Sequence, residues 1–298
     1  MIDAFLALGL AAFASVPAIF QQEPVREPLA SDSRTRDVYV SVLDKKDVPI
    51  AGLTAADFTV REDGVAREVL RAGPATAPMQ LILLVDDSEA LTPALQPMRE
   101  GLTKFVEKLQ GHAEIGIVTV GERSTSLVPS TTDINALKRG ITRIFARSGS
   151  GAYLLDGILE VSQGFQKRKA DRPVIVAVTM EGVEFSNLQH ETVLKALDAS
   201  GATLHVLSVG RPSPSMADES RNLNAVVAEG TSRSGGRRDQ VLAESGIAEA
   251  LPKVADELLK QYVVTYGRPE KLIPPEKLQV TASRPGATVR ARTRISGR

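Results

Sequence analysis

The chain contains no cysteine and no tryptophan. Without cysteine, disulfides, thiolate nucleophiles and cysteine-ligated metals are excluded. Aromatic residues make up only 4% of the sequence, which argues against the stacking platforms that hold unpaired bases or sugars. An excess of one charge is missing too. The 36 Lys and Arg balance 36 Asp and Glu, so there is no electrostatic footprint for nucleic acid or an anionic membrane surface. The three histidines, His112, His190 and His205, lie far apart and form no metal-ligand spacing. No Gly-x-Ser-x-Gly elbow, His-Glu-x-x-His pair or phosphate-loop pattern occurs. Beyond the N-terminal segment, no apolar run is long enough to cross a bilayer.

What remains is the material of an ordinary globular chain. Its 298 residues suit one large domain or two modest ones, and 43% hydrophobic content is enough to bury a core. Ala4 to Phe20 is apolar and is followed by Gln21-Gln22-Glu23. We read residues 1–20 as a secretory signal with cleavage after Ala18, although Asp3 stands where a basic residue is usual. An uncleaved anchor is the rival reading. Export to the periplasm or the exterior follows from either. Residues 21–36 are polar, with Pro24 and Pro28, and read as a linker.

Alternation then signals strands. Val38, Val40 and Val42 mark one, Phe58 and Val60 a second, and Asp63-Gly64 is a hairpin turn leading into Val65 to Arg71. From residue 78 the pattern changes. Continuous apolar runs at 80–86, 113–120, 173–179 and 203–209 alternate with helical periodicities at 95–109, 134–145, 154–165, 188–199 and 247–258. That order predicts a mostly parallel, doubly wound sheet with helices on both faces over 78–260. Residues 211–240 are rich in Ser, Pro, Arg and Gly and give no clear period. Strands return at 261–266, 278–282 and 288–293. Residues 37–73 and 261–295 each hold too few strands for a core, so they are expected to join into one small antiparallel β-sandwich.

The most telling stretch is Leu81-Ile82-Leu83-Leu84-Val85-Asp86-Asp87-Ser88-Glu89-Ala90. A buried strand ends in carboxylates and a hydroxyl, at the place where open α/β sheets hold ligands. Oxygen groups of that kind suit a hard cation such as Mg²⁺. The bland alternatives are that Asp86 and Ser88 cap the next helix, that Glu181-Gly182 is only a turn, that Asp156 belongs to a helix start, and that Ser148-Gly149-Ser150-Gly151 is a flexible loop. Arg233, Arg237 and Arg238 read as a solvated loop, Lys167-Arg168-Lys169 as a helix end, and His205 as a packed core residue.

Val85-Asp86-Asp87-Ser88, then helix, hairpin, two helices and Val178-Thr179-Met180-Glu181-Gly182, resembles a von Willebrand factor type A domain. The flanks Gly52-Leu53-Thr54-Ala55-Ala56-Asp57-Phe58 with Glu62-Asp63-Gly64, and Gln261 to Tyr266, resemble bacterial secreted proteins that carry a related domain. The resemblance implies a metal-ion-dependent adhesion site, built from an Asp-x-Ser-x-Ser loop, a Thr and a later Asp, at which a partner's carboxylate completes the Mg²⁺ sphere. Here Asp86 and Ser88 match, Ala90 replaces the second Ser, Ala152 stands where the Thr belongs, and Glu181 replaces the Asp. The metal set is therefore Asp86, Ser88 and Glu181, a degenerate site with weak Mg²⁺ binding or none. Asp87, Glu89 and Ser150 complete the expected ligand-binding face. What the resemblance implies is a non-catalytic module that binds an unidentified protein through this face. The alternatives are a metal-assisted hydrolase using Asp86 and Asp87, and a structural subunit of an envelope assembly.

Overall fold

The computed structural model describes residues 35–212, 217–269 and 275–295. The expected signal segment and all but the last two residues of the expected linker lie outside them. Residues 35 and 36 already belong to β1 (Thr35–Leu43), in which Val38, Val40 and Val42 all point inward.

The N-terminal strands continue with β2 (Phe58–Glu62), β3 (Val65–Arg67) and β4 (Val69–Pro74). Asp63 and Gly64 form the β2–β3 turn with φ of 48° and 84°, the double positive φ that such two-residue hairpins need. The returning chain is not one strand, as its sequence suggested. It breaks at Glu68, so that β3 stays with β2 while β4 crosses to another sheet.

The central region builds β5 (Met79–Val85), α1 (Leu95–Lys108), β6 (Ala113–Thr119), β7 (Thr125–Thr131), α2 (Ile134–Thr142), α3 (Leu154–Arg168), β8 (Pro173–Met180), α4 (His190–Ser200) and β9 (Thr203–Val209). The unreadable stretch after β9 holds α5 (Asp218–Ala225), a π-helical turn (Val226–Gly230), α6 (Thr231–Ser234) and a short strand β10 (Arg238–Val241). Then α7 (Ile247–Leu259) closes the unit. The sheet order is β10-β9-β8-β5-β6-β7, parallel except for the β6–β7 hairpin. Side chains alternate across a strand, so Leu81, Leu83 and Val85 join one core with α1, α2 and α7, while Ile82 and Leu84 join a second with α3 and α4. Burial on both sides is why these strands read as unbroken apolar runs. The sequence runs outward from β5 in one direction and from β8 in the other, which makes the C-terminal ends of this pair the switch point of the sheet.

The last strands, β11 (Tyr262–Gly267), β12 (Leu278–Ala282) and β13 (Thr288–Ala291), pair with the first. One sheet runs β13-β1-β11-β4 and the other β12-β2-β3. Both flanks share a core of Val38, Val40, Val42, Phe58, Val60, Tyr262, Val264, Tyr266 and Leu278. The antiparallel sandwich and the α/β sheet lie within one compact unit, Ser33–Arg298. The chain leaves the sandwich at Pro74 and re-enters it at Tyr262, its partner in register.

Candidate functional site

Asp86 follows β5 and reaches across to β8. Its N–H donates to Val178 O at 3.0 Å. Its Oδ1 accepts from Ser88 N at 3.0 Å, and its Oδ2 accepts from Met180 N at 2.9 Å and Thr179 Oγ1 at 3.3 Å. The side chain is almost fully buried, and this burial pushes its carboxyl above the usual range even though bonds from Ser88, Met180 and Thr179 pull the other way. Asp86 therefore ties the tips of two strands together.

Asp87 turns the opposite way. Its Oδ1 accepts from Gly121 N at 2.6 Å and its Oδ2 from Arg147 Nε at 2.8 Å. Its backbone carbonyl accepts from Arg147 N at 3.0 Å. Gly121 follows β6, and a Cβ there would lie 2.6 Å from Asp87 Oδ1 and 2.7 Å from Ser88 N, so only glycine allows this approach. Arg147 is half-buried, lies 5.3 Å from the Phe145 ring centroid and reaches Glu122 at 3.4 Å. The bond to Asp87 holds the guanidinium above its ordinary pKa.

Glu89 extends the same lacing. Its Oε2 accepts from Gly149 N at 2.8 Å, and its N–H donates to Ser150 O at 3.4 Å. Gly149 has φ +74°, a conformation that favours glycine. The Ser150 hydroxyl donates to Arg147 O at 2.8 Å. The loop 147–150 is thus stitched to 87–89 rather than flexible.

Five of the six residues expected on the face thus meet around the end of β5: Asp86, Asp87, Ser88, Glu89 and Ser150. The sixth, Glu181, does not join them. Its Oε1 accepts from Gln240 Nε2 on β10 at 3.4 Å, three strands away from β5. Asp86, Asp87 and Ser88 are buried, whereas Glu89 and Glu181 are exposed. Ala90 faces Gly182, and Ala152 is buried with its N–H on Val183 O and its carbonyl receiving Phe185 N. Among the described residues, no group of three or more His, Asp or Glu is arranged to hold a metal ion.

The sequence reading passed over Arg147, Gly121, Thr179 and Glu184. Glu184 is buried at the start of α3 and accepts from Leu154 N, Leu155 N and Ser186 N at 3.3–3.4 Å. Burial pushes its carboxyl up to about 7 against these bonds. It caps α3 from another segment, which no local capping pattern announces. Beside it, Val183 and Phe185 are exposed at 62% and 46%, and Phe145 at 55%. Phe185 lies edgewise to Tyr153, with ring centroids 5.8 Å apart.

Other expectations divide. His205 is a core residue as read. Among the described residues neither ring nitrogen finds a hydrogen-bond partner, and burial lowers its pKa to about 4. Arg237 is not in a solvated loop. It is buried and pairs with Asp239, with Asp47 at 3.4 Å and with Glu257 at 3.5 Å. Asp156 lies in the first turn of α3 and Lys169 is that helix's left-handed C-cap.

A family model described as von Willebrand factor type A domain matches residues 81–182. Comparison with curated proteins returns no match. Among solved structures, a von Willebrand factor type A protein from Catenulispora acidiphila is similar with a TM-score of 0.51 at 12% identity, over 87% of this chain and 72% of that one. The conserved hypothetical protein BatB from Bacteroides thetaiotaomicron aligns at 15% identity and TM-score 0.45, over 60% of this chain and 98% of its own. The vWF domain of the type V pili tip protein Mfa5 from Porphyromonas gingivalis aligns at 11% identity and TM-score 0.46, over 61% and 95%. The family match runs from β5 to just past β8, and the fold of the chain is that of a von Willebrand factor type A protein.

Proposed function

We propose that this chain is an exported, non-catalytic binding module that recognises another protein through the loop end of its α/β region, without a metal ion. The observation that carries the reading is the trio Phe145, Val183 and Phe185. Phe145 stands exposed under Arg147 before the 147–150 loop, Val183 and Phe185 on the segment that packs on Gly151 and Ala152 after it, and large apolar side chains left exposed at such loops mark interaction surfaces. Their complement is a partner surface that offers apolar side chains of its own.

The donor set does not fit Mg²⁺. Such an ion needs near-octahedral oxygen ligands. Two family positions carry the methyl groups of Ala90 and Ala152, Glu181 is engaged with Gln240, and both oxygens of Asp86 already accept protein hydrogen bonds. The same commitments support the non-catalytic part. The adjacent carboxylates Asp86 and Asp87 are each held by neighbours rather than presented to a substrate. Export rests on the N-terminal apolar segment alone.

The test is affinity capture from an envelope fraction, run with EDTA or Mg²⁺, on the parent protein and on a Val183→Ser, Phe185→Ser variant. The expected result is a partner retained equally in both buffers and lost by the variant, since truncating an apolar anchor costs about 2 kcal/mol or more of binding. Capture that needs Mg²⁺ and is abolished by Asp86→Ala would overturn the reading.

A further inference from the structure

We propose that Arg147 is the resident cation of the loop end: its guanidinium, anchored on Asp87 and reaching Glu122, ties the segment between α2 and α3 to the loops after β5 and β6 and holds the face in a single arrangement without a bound ion. The inference takes its location from the binding-face reading above, but not its support. Three chain segments meet at one buried carboxylate. Asp87 follows β5, Gly121 follows β6, and Arg147 lies between α2 and α3. Asp87 receives one bond from each of the other two, at 2.6 Å and 2.8 Å. The Arg147 backbone adds a third tie to Asp87 O. The centre of this junction is Asp87, on whose oxygens N–H donors of the other two segments converge, and Arg147 also draws in Glu122 from the loop after β6.

The charge arithmetic agrees. Asp87 is 3% exposed at its side chain, and a carboxylate so placed needs a fixed partner. Arg147 supplies a permanent positive charge through a planar fork. The guanidinium makes its contacts within the chain while its side chain stays 28% exposed. One edge holds Asp87, another reaches Glu122 at 3.4 Å, and its face lies over Phe145. It acts as an internal tie between the loops. A second, parallel stitch, Glu89 to Gly149 at 2.8 Å, holds the other end of the same loop. A closed site of this kind cannot be switched by metal supply.

Amide hydrogen exchange on the full chain without any partner tests this. Segments around Gly121 and 147–150 are followed in Mg²⁺ and in EDTA for the parent, Arg147→Ala and Arg147→Lys. The expected parent exchange is the same in both buffers. Arg147→Ala is expected to exchange about tenfold to a hundredfold faster in these segments, as local opening becomes easier, with the sandwich strands unchanged. Arg147→Lys, which keeps the charge but not the fork and is the milder change if the alanine variant folds poorly, is expected to fall between. Parent segments that gain protection on adding Mg²⁺, or variants that exchange like the parent, would overturn the proposal. Because no partner is present, its failure is distinct from loss of capture by the Val183 and Phe185 variant.

Discussion

At the N-terminal ends of β5 and β8 the buried charge is a cation; at their C-terminal ends it is a pair of carboxylates. Arg172, just before β8, donates to Ala77 O, Leu258 O and Gln261 Oε1, each at 2.9 Å, and to Ala75 O at 3.4 Å, with its guanidinium 4.9 Å from the Tyr39 ring centroid. These partners come from the exit of the sandwich, the end of α7 and β1, so the cation seals a seam between two layers. Asp86 and Asp87 instead accept mainly N–H groups from their own loop end, and on the loops nearby Phe145, Val183 and Phe185 stay 46% to 62% exposed despite the contacts of Arg147 and Tyr153. The difference teaches that burial of charge at a sheet end does not by itself mark a site. What distinguishes the two ends is whether the surrounding surface is used up by the fold.

Breaking the seam should cost most. Arg172→Ala strands several buried acceptors at once, and we expect about 4 kcal/mol lost in urea unfolding. A smaller effect is expected from pH at the loop end. Glu184 has its carboxyl raised from 4.5 to about 7. The folded state holds the proton more tightly, so its stabilising contribution is full below the unfolded value and is lost as pH rises through about 7. The loss is about 3 kcal/mol over that window, and Glu184→Gln should flatten the stability–pH curve there. Asp86→Ala removes a costly buried carboxyl together with its bonds, so about 2 kcal/mol is expected. The sharper readout is that this loss is equal in Mg²⁺ and EDTA. Smallest of all, Val183→Ser should change stability by less than about 0.5 kcal/mol while it weakens partner capture, since a surface the fold does not use can be altered without harm to the fold.

Much of this was legible in the sequence where one physical rule acts alone. Two-sided burial made β5, β8 and β9 readable as apolar runs, and the double positive φ of the hairpin was written in Asp63-Gly64. Legibility failed where partners are distant. β10 is short and half-polar because it is an edge strand, and it borrows its place from β9. The split of the returning strand at Glu68 is set by competition between β2 and β11, not by its own residues. At the candidate site, the apolar run ending in carboxylates located Asp86 and Ser88 at the tip of β5, while the reading of Ala90 and Ala152 came from the family resemblance alone. Neither could show that Arg147, sixty positions along, would meet Asp87, nor that Glu184 would cap α3 from outside it. The direction of Glu181 was likewise beyond local patterning, since Gln240 sits on the strand the sequence did not declare.

Because Pro74 and Tyr262 are ladder partners, the central α/β region starts and finishes within one strand spacing. The folded α/β region therefore brings the two halves of the sandwich back together across the width of one strand pair. The sandwich closes around the two ends of the α/β region and is held from that region in turn, through Arg172 over Tyr39 and Glu257 on Arg290, so neither layer is indifferent to the other.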